Sequence, residues 1–211
     1  LGDGTRSGRS SPAQVPGLTA VTAVAAGGYH SLALKSDGSL WVWGINSSGQ
    51  LGDGTTTTRL SPVQVPVLTG VTAVAGGAYH TLALTSDGRV WAWGWNFGGQ
   101  PSTDVNSPVP ALVPGLSDVV AVAAGYSHSV AVKADGTLWA WGSNQNGQLG
   151  DGTNADRSTP VQVPGLTGVA AVAAGNGFTI ALKADGTVWH STTTVTASGA
   201  YSSRWEQVSG L

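Results

Sequence analysis

The chain has 211 residues with no cysteine, so disulfides, thiolate metal sites and a cysteine nucleophile are excluded. Nine basic and eleven acidic side chains leave a net charge of −2, which argues against a protein that grips nucleic-acid phosphates. With 41% apolar residues and nine Trp, the 32 Gly and ten Pro read as turns of a packed domain rather than as disorder.

Residues 1–18, "LGDGTRSGRSSPAQVPGL", read as the back half of a repeat whose first three strands are absent. Four further repeats follow, at 19–68, 69–116, 117–166 and 167–211. Their closing leucines, Leu18, Leu68, Leu116, Leu166 and Leu211, are spaced by 50, 48, 50 and 45 residues. Trp41, Trp91, Trp139 and Trp189 keep the same phase and are expected to be buried.

In the first full repeat, Val21–Gly27 alternates in the manner of a strand. His30–Lys35, the Asp37-Gly38 turn and Leu40–Gly44 then predict a hairpin, because Asp-Gly between apolar runs is a strong turn signal. After a long loop, Ser61–Val65 predicts a fourth strand. Matching turns fall at Asp87-Gly88, Asp135-Gly136 and Asp185-Gly186, so the aspartates serve turns, not a ligand. No window carries a 3.6-residue period. Four short strands in each unit of about 50 residues describe the blades of an all-β propeller. Trp41/Trp43, Trp91/Trp93 and Trp139/Trp141 each share a strand face. They are expected to pack between blades, with sugar stacking as the alternative.

The loops hold the candidate functional residues. Asp3/Arg9, Asp53/Arg59 and Asp151/Arg157 recur at a spacing of six, and the shortened loop before Ser107 lacks both members. That joint presence or absence predicts a structural clasp rather than an arginine recognition ring. Asn46, Asp53 and Asp151 lack calcium-loop spacing, and Asn46-Ser47-Ser48 is a glycosylation sequon. His30, His80 and His128 share one repeat phase, with Phe178 at the fourth. The spacing suits a structural signature better than a zinc centre, whose ligands must converge on one point.

Two departures from the repeat stand out. Trp95 and Phe97 place aromatics on a loop that Pro101 reshapes. They are either anchors for a partner or filling beneath the shortened loop. The stretch from His190 to Ser203 abandons the repeat and reads as a cap or a contact site.

The run "AAGGYHSLALKSDGSLWVWGINSSGQLGDGT" and its copies resemble the regulator-of-chromosome-condensation repeat family over nearly the whole chain. The resemblance implies a β-propeller, usually of seven blades, so this chain is expected to be part of a larger ring. It implies no single function: founding members are chromatin-bound exchange factors for a small GTPase, and others are secreted bacterial inhibitors of β-lactamases.

No catalytic motif accompanies the repeats, and no cofactor is expected. No apolar run approaches the ~18 residues of a membrane span. The chain starts at Leu1 without a recognisable signal peptide, as a mature or excised piece would. The expectation is a non-enzymatic protein-interaction module, part of an extracellular or cell-surface bacterial propeller. Its partner is a protein or further copies of itself, without nucleic acid or membrane insertion. The alternatives are a self-assembling repeat protein whose open blades pair between chains and, ranked last, a guanine-nucleotide exchange factor.

Overall fold

The computed structural model describes residues 1–95, 106–195 and 201–210. Strands β1 (Val21–Ala26), β2 (His30–Lys35), β3 (Leu40–Gly44) and β4 (Arg59–Gln64) form one antiparallel sheet in sequence order. The second blade is β5 (Val71–Gly76), β6 (His80–Thr85), β7 (Val90–Trp95) and β8 (Asn106–Leu112). The third is β9 (Val119–Ala124), β10 (His128–Lys133), β11 (Leu138–Gly142) and β12 (Arg157–Gln162). The fourth is β13 (Val169–Ala174), β14 (Thr179–Lys183), β15 (Val188–Val195) and β16 (Tyr201–Gln207). The first strands of successive blades are neighbours, so the blades fan out around a common axis.

Each β2–β3 type hairpin closes through a three-residue turn. Gly38 donates to the Lys35 carbonyl at 2.9 Å and Lys35 donates to Ser39 at 3.0 Å. Only the glycine is left-handed, at φ 76°. Asp37 contributes through its carboxylate, which accepts from the Ser39 N–H at 2.9 Å. The turn therefore pairs a right-handed bend with a glycine bulge.

The hydrophobic cores lie between blades. Leu32, Leu34, Leu40 and Val42 of the first blade meet Leu68, Val71, Ala83 and Trp93 of the second, with Leu51 and Val65 between them. Two equivalent cores join the second blade to the third and the third to the fourth. The buried indoles are those of Trp43, Trp93 and Trp141.

Trp41, Trp91, Trp139 and Trp189 are largely buried, as expected, though none completely. Three of them cap the hairpin ends. Trp41, Trp139 and Trp189 donate their indole N–H to Ser39, Thr137 and Thr187 at 3.2, 3.1 and 3.0 Å. Lys35, Lys133 and Lys183 lie over the same rings. A ring shared between a wet turn and a lysine cannot be fully withdrawn from water.

The blades are also joined by polar contacts. His30 Nε2 lies 2.8 Å from Thr81 Oγ1, His80 Nε2 3.1 Å from Ser129 Oγ, and His128 Nε2 2.9 Å from Thr179 Oγ1. Each imidazole thus reaches the next blade, and no group of three potential metal ligands converges among the described residues.

The stretch from His190 to Ser203, irregular by repeat, is an ordered hairpin where it is described. Pairing runs without a break from Trp189–Gln207 to Val195–Tyr201. In the other blades the third and fourth strands slip register beside Gly44, Gly94 or Gly142. Thr192 stands at that phase here, and a run of β-branched residues favours continuous strand.

Val24 of β1 is 76% exposed, whereas Val74, Val122 and Val172 at the same phase are half-buried. Leu182 is 40% exposed, against 4% for Leu34 and Leu84.

Candidate interaction surface

The long loops after β3 and β11 are each organised by one buried asparagine. Asn46 Nδ2 donates to Asp53, at 3.2 Å, and to the Thr55 and Thr57 carbonyls at 2.9 and 3.1 Å. Its Oδ1 accepts the Leu51 N–H at 2.9 Å. Asn144 repeats the pattern around Asp151, Thr153 and Leu149. Glycan attachment would take one of the two Nδ2 protons, both of which face buried loop acceptors, so the sequon is spent on the loop.

Arg59 Nε lies 2.7 Å from Asp53, Arg157 Nε 2.6 Å from Asp151, and Arg9 Nε 2.6 Å from Asp3. Burial opposes ionisation of Asp53 and Asp151. Hydrogen bonds from Thr55 and Arg59, and from Thr153 and Arg157, outweigh it and hold both carboxyls below their usual range. At Asp3 the Arg9 hydrogen bond is the largest cause of a strong downward shift. Every carboxylate oxygen of Asp53 has a donor, which leaves none facing a cation site.

Above these clasps, the β1–β2 connections carry a row of aromatic rings. Tyr29 stacks on Tyr79 with ring centroids 5.2 Å apart. Tyr79 in turn meets Trp95 edge-on at 5.5 Å and Tyr126 edge-on at 6.3 Å. Tyr29 and Tyr126 are 49% and 43% exposed, and Trp95 is half-buried. Backbone bonds fix the row. Gly28 donates to the Gly77 carbonyl, Ala78 to Tyr126 and Tyr126 to Gly175, each joining one blade to the next. Ile45 donates to the Tyr29 carbonyl and Trp95 to the Tyr79 carbonyl, at 2.9 and 2.8 Å. The third blade repeats that pairing with Ser127 and Ser143. The Tyr29 hydroxyl is the largest cause of an upward shift in the Tyr79 phenol, which stays neutral at physiological pH.

Of the three expected anchors, Trp95 is placed at the end of β7 against Tyr79. Phe97 and Pro101 lie outside the described residues. The tyrosines were missed by sequence reasoning. A tyrosine at the first and second repeat phases was a visible signal, but Tyr126 is one residue out of phase.

The sequence profile of the RCC1-like domain matches residues 1–181. Among solved structures, the chain is similar to Prp20p from Saccharomyces cerevisiae, described with its binding to Gsp1p and histones. Identity is 25% with a TM-score of 0.77, over 90% of this chain and 50% of that one. It is similar to human WBSCR16 at 25% identity and a TM-score of 0.73, over 82% and 47%. Yeast RCC1 (Prp20) bound to Kap60 aligns at 24% identity and a TM-score of 0.74, over 90% and 49%. The chain spans about half the length of these solved relatives. No curated protein sequence matches it.

Proposed function

The chain belongs to the RCC1-like domain family, and from that premise we propose that it is a non-enzymatic protein-interaction module. We place it in an extracellular or cell-surface bacterial propeller, in keeping with its Cys-free, charge-poor composition. The observation that carries the reading is the aromatic row Tyr29–Tyr79–Trp95–Tyr126, held on backbone bonds between blades. Tyr and Trp are the residues on which interfaces concentrate their energy. Local engagement of the acidic side chains in turns and clasps supports a non-catalytic role. Prp20p, which shares the fold and is described with its binding to Gsp1p and histones, supports a protein partner.

The test is Trp95→Ala combined with Phe97→Ala. As anchors, the pair should cost at least ~2 kcal/mol of binding, about thirtyfold in affinity, in pull-downs from the native source. The melting temperature should hardly move. A fall of several kcal/mol in stability, on the order expected for a truncated buried aromatic, would instead make them packing residues.

A further inference from the structure

We propose that the cavity beside Trp91 is a docking site for a lysine side chain of a protein partner. The proposal rests on the reading that the chain binds proteins only for the source of that lysine. The aromatic row sits at the β1–β2 connections, whereas Trp91 stands beside the hairpin at the other end of the strands.

The repeat itself shows what such a place holds. In three blades a lysine at the end of the second strand lies over the indole of the third. Lys35, Lys133 and Lys183 are 5.6, 5.2 and 5.8 Å from the ring centroids of Trp41, Trp139 and Trp189. The Lys183 ammonium also lies 3.5 Å from Asp185, so ring and turn carboxylate share one cation. The second blade keeps both acceptors, as Trp91 and Asp87, but has Thr85 at the lysine phase. Among the described residues no cation lies over Trp91.

Two further departures fall at the same ring. Arg89 stands where Ser39, Thr137 and Thr187 accept the indole N–H in the other blades, so Trp91 has no such acceptor. Val67 replaces the glycine of Gly17, Gly115 and Gly165, and is 61% exposed. The outcome is a cavity of about 310 Å³ lined by Val67, Leu68, Thr85, Asp87 and Trp91. Its walls come from the link between β4 and β5 and from the β6–β7 hairpin, with a four-stranded blade on either side. Neither end of the chain bounds it.

That volume is at the lower limit of a specific pocket and suits a single side chain. A lysine stem would lie along Val67 while its ammonium meets the ring face and the Asp87 carboxylate. Arg89 Nε lies 3.4 Å from Asp87, with both side chains 58% exposed. An ion pair so exposed gives way to a second cation at little cost.

The test is a titration of the isotope-labelled chain with a blocked pentapeptide, Gly-Gly-Lys-Gly-Gly, read at the indole N–H resonances. The signal missing from Trp91→Phe assigns Trp91. The lysine peptide should shift that resonance, and the same peptide with norleucine should bind at least about tenfold more weakly. Thr85→Lys should fill the site from within, as the other blades do, abolishing the response while the melting temperature stays near that of the parent. No response, an equal response to norleucine, or an undiminished response in Thr85→Lys would overturn the site. The norleucine comparison needs no variant, so it decides even where Thr85→Lys does not fold. A response to n-butylammonium without one to the peptide would overturn the protein source. No native partner enters the experiment, so its failure leaves the Trp95 and Phe97 test standing.

Discussion

Thr81 Oγ1 stands between two blades, 2.7 Å from the Gln50 carbonyl that it donates to and 2.8 Å from His30 Nε2. Because its own proton goes to Gln50, the hydroxyl accepts from His30, which fixes the imidazole as the Nε2–H tautomer. Thr81→Val keeps the shape and removes both bonds in a buried place. The cost of such orphaned groups is about 1–3 kcal/mol per site, and Thr81→Ser should restore most of it. Urea denaturation of the two variants checks this. Equal stability of Thr81→Val and the parent would mean that the relay holds nothing.

Acid should loosen the same junctions. Burial pushes His30 and His128 down to about 4 and His80 to about 3, from an ordinary value near 6.5. The folded state therefore favours neutral imidazoles, and above about pH 6.5 their contribution is intact. As pH falls from there, the unfolded chain takes up protons that the folded chain refuses until about pH 4. Stability is lost across that window, by up to tenfold in the folding equilibrium constant per pH unit for each histidine. Urea midpoints at pH 7.5, 6 and 5 should fall in order, before the carboxylates titrate. A flat profile would contradict the burial of these rings.

One backbone position should be improvable. Ala20 has φ 57° and Asp118 φ 58°, where Gly70 and Gly168 occupy the same phase. Each supplies the carbonyl that accepts from the residue before its hairpin aspartate or its equivalent, as Ser36 to Ala20 at 2.8 Å. A side chain in the left-handed region costs roughly 1–2 kcal/mol. Ala20→Gly should therefore stabilise by about 1 kcal/mol, less the glycine's extra freedom when unfolded. Thermal melts should show a small rise, and a fall would mean that Ala20 is unstrained.

In the fourth blade a different strand supplies the junction indole. Trp43 covers Gly2 and Trp93 covers Gly52, while Gly150 is covered by Trp205. Ser191 stands at the repeat phase of Trp43 and pairs directly with Trp205 across β15 and β16. Trp205→Ala should cost about 3 kcal/mol, the low end for an aromatic truncated in a core. Adding Ser191→Trp should recover part of that. Recovery is incomplete because the Ser191 hydroxyl also accepts the Thr179 N–H at 2.9 Å. No recovery would show that the two positions are not interchangeable.

The blades were legible because their signals are local: an Asp-Gly turn and the alternation on either side of it lie within fifteen residues. Which indole is fully buried was not, since Trp41 and Trp43 share a face and differ only in distance from the turn. The aromatic row was less legible still. Tyr29, Tyr79 and Tyr126 come from three blades, and only the convergence of β1–β2 connections on the axis brings their rings together. Trp205, just past the irregular stretch, carried no expectation, because its role depends on the strand opposite it. The clasps, by contrast, joined residues six apart that the spacing already paired.

Each of the three cores belongs to two blades and none to a single blade. What folds is therefore the junction, and an excised blade would have nothing to fold around. Such an array has nearest-neighbour energetics, in which every junction depends on those beside it. The second and third blades are gripped on both faces. In a chain of residues 1–211, the fourth has one full neighbour, and the first rests on residues 1–18 at its other face. Loss of structure should start at the two ends and travel inward, so backbone amide protons of β14 would be the first of the second strands to trade with solvent. Those of β6 and β10 would be the last.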